Sequence, residues 1–556
     1  MFRLALSILA ALALSAAPAS AHGGPHGHHR GHGHGHGHHH PKPKPPRTVQ
    51  LQVLGVNDLH GNLEPTLVSG KAAGGVAYLG SYLAAAKAAD PKGTITVHAG
   101  DTVGASPLIS SWFHDEPTIE ATNLMHFDVG TLGNHEFDEG GTEMLRLIRG
   151  GHRDDGKQVK GGQDTSDPDF PGADYPYVSA NVTYAENGKY VLPPFTIVKR
   201  EGVKVGIIGV TTTETPSIVV PDAVAPFHFG DISDAVDKQV KVLNRLGVHT
   251  IVVLAHAGGF QDPGTDPAGE ILTETAQMSP DVDLVVAGHT HSLLNTRVNN
   301  ALVVQAYRYG TAFDKVTLTV DRRKGDVTAS TADVVTTYDE GITPQPALAD
   351  LVQTFKDRIA PVSSRVVGTA AGPATRDVTA AGESSLGDLI ADAQAHETGA
   401  QIALMNPGGI RADLKAGQLT FGDLFAVQPF DNGLVKMTLT GAQLKAVLEQ
   451  QFPAAGDKIL QVSGIKETYD RTRAEGDRIT SLTLADGTPI DPAATYTVAC
   501  NSFLATGGDG FTVFKDGTGV TSYGTDVDAL ENHVEALSQP FAIPDPGSTP
   551  RITRTA

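Results

Sequence analysis

Residues 49–61 of this chain read VQLQVLGVNDLHG, an apolar run that ends in Asp58 and His60. Later runs of the same kind also stop at residues able to bind a metal ion. They are GTITVHAGD (93–101, ending in Asp101), FDVGTLGNHEFD (127–138, with Asn134), HTIVVLAHAG (249–258, with His256) and VDLVVAGHTH (282–291, with His289 and His291). Each run holds mostly branched apolar residues and closes in a glycine-containing turn, which is typical of a strand buried on both faces.

The repeated strand endings predict a single polar pocket. One Asp or His after a strand is most often a helix cap or a solvated surface group. Several such endings favour another interpretation, because open α/β sheets place ligands outside the carboxyl ends of their strands. We therefore expect these side chains to meet at one edge of a sheet and to bind metal, although they are far apart in the sequence.

Length and charge limit the classes of protein to consider. The chain has 556 residues, 40% of them hydrophobic, which predicts full cores and either two large domains or three small ones. With 42 basic and 62 acidic residues the formal charge is −20, which argues against nucleic acid or an anionic membrane surface as the main partner. An anionic substrate would need metal ions or local arginines to overcome this field.

The N-terminus has the pattern of a secretory signal. Arg3 precedes an apolar stretch at 4–14, and the sequence ASA at 19–21 fits a cleavage site, so residues 1–21 are predicted to be a signal peptide. A membrane anchor is the alternative, but the stretch is shorter than the roughly 20 apolar residues that span a bilayer. We expect an exported protein without a membrane span, either secreted, periplasmic or held at the cell surface.

Residues 22–46 are predicted to form a disordered tail. The part at 22–40, HGGPHGHHRGHGHGHGHHH, holds ten of the 23 histidines and no apolar residue large enough for a core. One interpretation is metal capture, since imidazole binds Zn, Cu or Ni. The other is a solvated terminus with incidental metal affinity. The sequence PKPKPP at 41–46 is expected to be a stiff spacer.

Alternating strand and helix patterns predict an α/β domain over residues 47–342. Within it, residues 150–176 are rich in Gly, Asp and Pro and are expected to form a long surface loop. A linker helix is predicted over residues 343–362, bracketed by Pro346 and Pro361. One face of that helix would carry Leu348, Leu351, Val352, Phe355 and Ile359. A second, mixed α and β domain is expected over residues 363–556.

Short motifs along the whole chain carry a resemblance to a known family. In order they are NDLHGNLEP, GDTVGASPL, GNHEFDEG, SANV, LAHAG and AGHTH, then NPGGIRADL, PFDNGL and ATGGDGF. Together they resemble the calcineurin-like metallophosphoesterases of the secreted 5′-nucleotidase and UDP-sugar hydrolase branch. The resemblance implies an α/β fold with a two-layered β-sandwich metallophosphatase core flanked by helices (αββα), followed by a smaller mixed α/β substrate-binding domain.

The same resemblance implies two divalent metal ions about 4 Å apart, with Asp101 as the carboxylate that both ions share. One ion would take Asp58, His60 and His291, and the other Asn134, His256 and His289. Such oxygen and nitrogen ligands suit Zn, Mn, Co or Fe better than Ca or Mg. His291 is a departure, because glutamine is usual at this position in the nearest nucleotidases, and it leaves the identity of the metal open.

The catalytic pair implied by the resemblance is His135 with Asp138. If a helix begins here, Asp138 can accept the ring N–H of His135 and aim the other ring nitrogen at the phosphoryl group. His135 would then stabilise the transition state or give a proton to the leaving oxygen. The residues alone also allow a helix cap with Asp138 in the first turn. His98 and His114 match no family position and are expected to be structural.

Substrate recognition is expected in the C-terminal part. Arg411 can make paired hydrogen bonds to phosphate, and the glycines before it, including Gly409, allow close approach of the backbone. The resemblance implies a base sandwiched between Phe430 and Phe503, although a Phe outside such a motif is more often a core residue. It also implies polar contacts to base or ribose from Asn406, Asn432 and Asp509.

One departure weakens the predicted phosphate site. Typical 5′-nucleotidases have a further arginine just before the helix that aligns with ESSLGDLIADA, and this chain has Gly382 there. Arg376 is the nearest basic residue that could replace it. Specificity for a nucleoside monophosphate is therefore less firmly predicted than the hydrolytic chemistry.

The leading hypothesis is a secreted dinuclear-metal phosphohydrolase that uses metal-activated water to hydrolyse 5′-nucleotides to nucleoside and phosphate. Nucleotide sugars and dinucleotides are further candidate substrates. A neighbouring alternative is a 2′,3′-cyclic-nucleotide phosphodiesterase with 3′-nucleotidase activity. An alternative from another class is an exported metal-binding protein that uses the histidine-rich tract. The expected partner is a small-molecule nucleotide, and the oligomeric state stays open.

Overall fold

The computed structural model describes residues 47–153, 165–261, 264–453 and 456–556. The predicted signal peptide at 1–21, the tail at 22–46 and the middle of the predicted loop lie outside these residues. The described parts of residues 150–176 contain neither helix nor strand.

The first sheet has six strands, with the run at residues 49–56 near its centre. Their order is Val327–Thr336, Ala312–Asp321, Thr48–Val56, Thr94–His98, Val129–Thr131 and Tyr177–Val178. Thr48–Val56 pairs antiparallel with Ala312–Asp321 and parallel with Thr94–His98, and the pairing stays parallel as far as Tyr177–Val178. The parallel strands therefore end at the same edge of the sheet.

The second sheet also has six strands. Their order is Leu293–Val298, Ala301–Ala306, Leu284–Ala287, Thr250–His256, Val203–Thr211 and Phe195–Arg200. The four inner strands are parallel, and each outer strand is antiparallel to its neighbour.

The two sheets pack face to face. Val53 of the first sheet shares a buried cluster with Leu254 of the second, whereas Val56 lies in a different cluster that includes helix residues. Because alternate side chains of a strand point to opposite faces, a strand covered on both sides is apolar throughout. Gly209 permits close contact between the layers, since a Cβ there would lie 2.1 Å from the carbonyl oxygen of Val178.

Helices cover the outer faces of both sheets. Val76–Ala89 and Glu116–Met125 pack on the first sheet, and Ile232–Arg245 and Glu270–Gln277 pack on the second. In Ile232–Arg245 the residues Ile232, Val236, Val240 and Leu243 are buried at helical spacing, and Asp231 caps the first turn by accepting the backbone N–H of Asp234. The layer order of helix, sheet, sheet and helix confirms the predicted sandwich.

Residues beyond 363 form further sheets. Five strands lie in the order Gln461–Ser463, Ile402–Met405, Thr495–Asn501, Gly433–Thr440 and Thr518–Thr525, and three in the order Ile479–Leu484, Ile465–Tyr469 and Ile552–Arg554. Their helices are Ser385–Thr398, Phe421–Val427, Gly441–Glu449, Ser502–Ala505 and Asp526–Ala536. Cys500 is fully buried in this part, as expected for a structural thiol.

Small elements complete the chain. Two-stranded sheets pair Pro65–Val68 with Lys71–Gly74, Val182–Tyr184 with Phe227–Phe229, and Val366–Ala370 with Gly417–Thr420. The remaining helices are Leu108–Ser111, Gly141–Arg149, Thr215–Ile218, Pro221–Val224 and Pro346–Ser363, and short 3₁₀ turns are His135–Phe137, Pro407–Gly409, Gly508–Gly510 and Thr512–Asp516. Across the described ranges, every helix is either too short or too polar to cross a membrane.

The helix Pro346–Ser363 lies where the linker was expected. Leu348, Phe355 and Ile359 are buried in a core that also contains Leu424 of the C-terminal part. The position of Pro361 suggested that the helix ends there, but Pro361 lies inside the last helical turn. A proline there removes a single backbone hydrogen bond, and the helix runs on to Ser363.

Leu348→Ala is expected to lower the free energy of unfolding by about 2–5 kcal/mol, because it leaves a cavity in this core. Leu246→Ala, at a side chain that is 51% exposed, serves as the control and is expected to change it by less than about 0.5 kcal/mol. Urea unfolding followed by circular dichroism measures both. Equal losses in the two variants would contradict a structural role for the helix.

Candidate metal centre and the adjoining cavity

The predicted metal ligands come together at the carboxyl ends of strands, but from two sheets. In the first sheet Asp58 and His60 follow Thr48–Val56, Asp101 follows Thr94–His98, and Asn134 follows Val129–Thr131. In the second sheet His256 ends Thr250–His256, and His289 and His291 follow Leu284–Ala287. The expectation of one sheet edge was wrong in this respect. The facing sheets end at a common edge and share the pocket.

Backbone geometry at these positions is unusual. Five of the seven residues have φ in the left-handed region, namely Asp58 (51°), His60 (47°), Asp101 (48°), His289 (82°) and His291 (57°). Side chains other than glycine adopt this region rarely, and at a cost of about 1–3 kcal/mol each. Such strain persists where surrounding structure holds it, and it is concentrated at functional sites.

One group of donor atoms surrounds His60. Its Nε2 lies 3.0 Å from Nε2 of His291, and that atom of His291 lies 3.4 Å from an oxygen of Asp58. His60 Nε2 is also 3.6 Å from Asp101 Oδ2. The backbone N–H of His289 donates to both oxygens of Asp58, at 3.1 and 3.0 Å, and holds that carboxylate in place.

A second group surrounds His256. Its Nε2 lies 3.0 Å from Asp101 Oδ2 and 3.1 Å from Asn134 Oδ1. The ring of His289 packs edge-on against that of His256, with centroids 5.2 Å apart. Asp101 Oδ2 therefore faces both groups, as expected of a shared ligand.

The imidazole tautomers fit a cation. His60 Nδ1 donates to the carbonyl oxygen of Gly104 at 2.8 Å, and His256 Nδ1 donates to that of Ala99 at 2.9 Å. Because a carbonyl only accepts, Nδ1 carries a proton, so in the neutral ring the lone pair of Nε2 faces the interior of the site and is the atom a cation would bind. His291 differs, since its Nδ1 lies 3.3 Å from the Arg308 guanidinium, and a neutral ring that accepts there carries its proton on Nε2 and would have to lose it to bind a metal ion.

Buried charges of both signs meet in the site. Burial raises the pKa of Asp101, but the neighbouring His256 more than offsets this and holds it well below its usual range. Burial also raises the pKa of Asp58, but the neighbouring His291 lowers it to about 2. Burial lowers the pKa of His256, but Asp101 raises it to about 10. Two buried carboxylates thus remain ionised, and positive charge beside them, which the His256 ring supplies and a bound metal ion would replace, offsets their burial.

Glu136 is a functional residue that sequence reasoning missed. Its carboxylate accepts backbone N–H groups from Asp101, Thr102 and Gly133, and it is almost completely buried. Burial and the charge of Asp101 raise its pKa to about 7. Glu136 joins the ends of two strands that carry ligands. The only sequence signal was an acidic residue inside the turn GNHEFD.

His135 and Asp138 contact each other as predicted, with Nδ1 and Oδ2 2.7 Å apart. The predicted helix is replaced by the 3₁₀ turn His135–Phe137, and the following helix begins only at Gly141. The cap alternative fails, because Asn134 makes no capping bond with its side chain. Burial lowers the pKa of His135, but Asp138 and Asp101 raise it above its ordinary value.

A cavity of about 530 Å³ opens beside these residues. Four predicted metal ligands line it, Asp101, Asn134, His289 and His291, whereas Asp58, His60 and His256 lie behind them. His135 and Asp138 also line the cavity. The predicted substrate residues all line it too, namely Asn406, Gly409, Arg411, Phe430, Asn432, Phe503 and Asp509.

The C-terminal wall of the cavity is organised around Phe430. Its ring stacks on His135, with centroids 5.8 Å apart and planes 18° apart, and the Arg411 guanidinium lies 5.7 Å from its centroid. Asp509 accepts from Asn406 at 3.1 Å and from Lys458 at 2.9 Å. Asn432 reaches Asp526, at 3.4 Å. Lys458 was not predicted, since it belongs to no quoted motif.

Two family models match the chain. The one described as calcineurin-like phosphoesterase covers residues 51–293, and the one described as 5′-nucleotidase, C-terminal domain, covers residues 366–516. The cell wall protein Lmo0130 of Listeria monocytogenes is 36% identical over 535 residues, 88% of this chain and 67% of that protein. The chain belongs to the calcineurin-like 5′-nucleotidase family. The predicted family is confirmed.

Other relatives of this family differ in length. Endonuclease YhcR of Bacillus subtilis is 34% identical over 504 residues, which is 89% of this chain, and the chain spans 40% of that protein. Among solved structures, the 5′-nucleotidase precursor of Thermus thermophilus has 28% identity and a TM-score of 0.75, covering 91% of this chain and 99% of the other.

The glycine at position 382, where 5′-nucleotidases have an arginine, has a structural explanation. Gly382 has φ 86°, and a Cβ there would lie 2.8 Å from the Ile459 side chain, so an arginine at this position would be strained. Arg376 does not replace it, because its guanidinium bonds to Asp413 at 3.0 Å and to the carbonyl of Arg411 and does not line the cavity.

The two histidines expected to be structural lie in different surroundings. His98 is buried against Tyr177 and contacts Thr102 Oγ1 at 3.0 Å, and burial lowers its pKa to about 3. His114 lines the cavity and accepts from Arg153 at 2.8 Å. Sequence motifs had no signal for this position on the cavity wall.

Glu136→Gln is expected to weaken metal binding by about 10- to 100-fold, because an amide N–H₂ would face backbone donors and loosen the turn that holds Asp101. Metal content after dialysis against a graded chelator measures this. Glu340→Gln is the control, at a side chain that is 78% exposed. Retention of metal equal to the control would refute a positioning role for Glu136.

Proposed function

We propose that the protein is a metal-dependent phosphoric ester hydrolase that cleaves 5′-nucleotides to nucleoside and phosphate. One observation carries the proposal. A single cavity has a cluster of metal-type donors on one wall and Arg411, Phe430 and Phe503 on the other. The Thermus thermophilus 5′-nucleotidase precursor and the snake venom 5′-nucleotidase of Naja atra, 27% identical over 549 residues, support this substrate class.

The proposed ligands divide into two sets around Asp101. They are Asp58, His60 and His291 for one ion and Asn134, His256 and His289 for the other. Two divalent ions, of Zn, Mn, Co or Fe, would supply a hydroxide at neutral pH and neutralise charge on the phosphoryl oxygens when bound. The Nδ1 protonation of His60 and His256 suits this role, because it leaves the inward-facing nitrogens free to coordinate.

The protein side chains then have separate tasks. Arg411 binds the phosphate group, and the rings of Phe430 and Phe503 hold the base, with Asn406, Asn432 and Asp509 as polar partners. As the bond from phosphorus to the 5′-oxygen breaks and the oxygen of water joins phosphorus, His135 gives its proton to the leaving oxygen. Asp138 favours the protonated form of His135 at the outset.

The proposal extends to the organisation and the location of the protein. The first domain, 47–342, would hold the metals, the helix within 343–362 would link the domains, and the second domain, 363–556, would recognise the nucleoside. Export is supported by the relatives named as a cell wall protein and as venom enzymes. Cleavage after residue 21 is part of this proposal, and N-terminal sequencing of the mature protein tests it.

A phosphodiesterase is the second candidate. The observation that favours it is the likeness to endonuclease YhcR over 89% of this chain. AMP, UDP-glucose, NAD, 2′,3′-cyclic AMP and bis(p-nitrophenyl) phosphate should therefore be compared at saturating metal. Turnover of AMP above all diesters is expected, and faster turnover of the cyclic nucleotide or the diester would select the alternative.

Asp101→Ala is expected to lower metal content and to reduce kcat/KM by at least about 100-fold, since both donor groups lose a shared charge. Asp486→Ala, in an exposed turn, is the control and should behave as the wild type. Deletion of residues 22–40 should have little effect on hydrolysis. If the deletion abolishes the metal-dependent activity and Asp101→Ala does not, the metal-capture alternative is favoured.

Phe430→Ala is expected to raise KM for AMP by about 5- to 100-fold, because stacking on a base is lost. KM for glycerol 2-phosphate, which has no base, should change little. Phe260→Ala provides the control, at a half-exposed ring outside the cavity. An equal rise for both substrates would show that Phe430 acts on the phosphate site and not on the base.

A further inference from the structure

Arg308 lies on a loop that is fixed to the metal site. The residues on either side, Tyr307 and Tyr309, have φ of 52° and 60°, so the backbone is held in the left-handed region on both sides of it. Tyr309 N donates to the carbonyl of Asp58 at 2.7 Å, and Tyr307 N donates to that of Ser292 at 3.0 Å. The loop therefore moves with the strand ends that carry the proposed ligands.

The side chain of Asn57 also fixes the position of this loop. Asn57, the residue before Asp58, donates to the carbonyl of Tyr307 at 2.7 Å and accepts the backbone N–H of Ala306 at 2.9 Å. Asn57 is almost completely buried. These contacts place Arg308 at a set distance from the site, as preorganised recognition requires.

The guanidinium of Arg308 faces the cavity. It packs 4.8 Å from the ring centroid of Tyr309, and Nη1 donates to His291 Nδ1 at 3.3 Å. Arg308 is only half-buried and lines the cavity together with Arg411, His289 and His291. Among the residues that the structure describes, its guanidinium makes this one long hydrogen bond, which leaves most of its five N–H donors available.

The cations on the cavity wall are of two kinds. Of the four Lys and Arg side chains that line it, Lys458 is paired with Asp509 at 2.9 Å, and Arg153 is paired with Glu139 at 2.9 Å. Within the described ranges, no carboxylate lies within 4 Å of the guanidinium of Arg308 or Arg411.

Half-buried guanidiniums without acidic partners are suited to an anion. We propose that Arg308 is a second phosphate-binding residue and that, with Arg411, it selects a terminal phosphate dianion over a phosphodiester. This inference rests on the proposed function and names its substrate class. A monoester presents three terminal oxygens and two charges, whereas a diester presents two free oxygens and one charge. Two guanidiniums therefore bind a monoester more strongly than a diester.

Arg308 also accounts for the missing arginine. The backbone at Gly382 excludes a long side chain there, and Arg376 is turned toward Asp413. Arg308 lines the cavity from an earlier part of the chain, on the loop between Ala301–Ala306 and Ala312–Asp321. Arg308 thus supplies the positive charge that Gly382 lacks, from the part of the chain that carries the proposed metal ligands.

Binding of inorganic phosphate to the metal-loaded protein tests the proposal without requiring activity. By calorimetry, Arg308→Gln is expected to weaken phosphate binding about 10- to 100-fold, because a charge-assisted contact is lost. Arg308→Lys should be intermediate, since it keeps the charge and loses the fork of donors. Arg297→Gln, whose guanidinium contacts Ser330 on a distant strand, should match the wild type.

Two results of this measurement would overturn the proposal. One is phosphate affinity of Arg308→Gln within twofold of the wild type. The other is failure of Arg308→Gln to take up metal at saturating concentration, because Arg308 would then act by supporting His291 and not by binding phosphate.

A kinetic comparison tests the substrate class. In Arg308→Gln, kcat/KM for AMP should fall at least about fivefold more than kcat/KM for bis(p-nitrophenyl) phosphate. Equal losses would refute selection of the monoester. If the wild type hydrolyses neither compound, the proposed function fails, while the phosphate measurement still decides whether Arg308 binds the anion.

Discussion

The carboxylate of Asp101 is the contact on which the rest of the site depends. Its Oδ2 lies 3.6 Å from His60 of the first sheet and 3.0 Å from His256 of the second, and its Oδ1 accepts the backbone N–H of His135. A buried carboxylate in such surroundings is tolerated only when positive charge and hydrogen bonds offset its desolvation. The junction of the two sheets and the chemistry of the pocket therefore depend on the same group.

The fold pays for this arrangement in backbone strain. Five left-handed residues at about 1–3 kcal/mol each add up to a substantial fraction of the net stability of a domain. The stabilisation that opposes them comes from strands that are apolar on both faces, such as the one containing Val53 and Val56. Glu136 adds a local tie, since it bonds to the backbone of Asp101 and Gly133. The packed sheets thus hold the side chains of the site in positions that the loops alone would not maintain.

The local sequence predicted those features that depend on neighbouring residues in the chain. A strand buried on both faces leaves a continuous apolar run, so the strand ends and the polar residues that follow them could be predicted. The local sequence did not predict which strands pair with each other, because runs such as 49–61 and 282–291 have the same apolar pattern although they belong to different sheets. For the same reason Glu136 and Arg308 escaped notice. Their significance lies in contacts with Thr102 and His291, which no spacing in the chain records.

The pairing of cations was the least predictable feature and bears most on specificity. Arg376, Lys458, Arg308 and Arg411 are all basic residues, yet the first two are engaged by Asp413 and Asp509. In a chain of formal charge −20, an anionic substrate is repelled at long range and must be attracted by a local field. Metal ions in the proposed sites would supply part of that field, and Arg308 and Arg411, which meet no carboxylate in the described part of the chain, would supply the rest. Both line the same cavity as His289 and His291, so the field would be strongest where the proposed terminal phosphate binds.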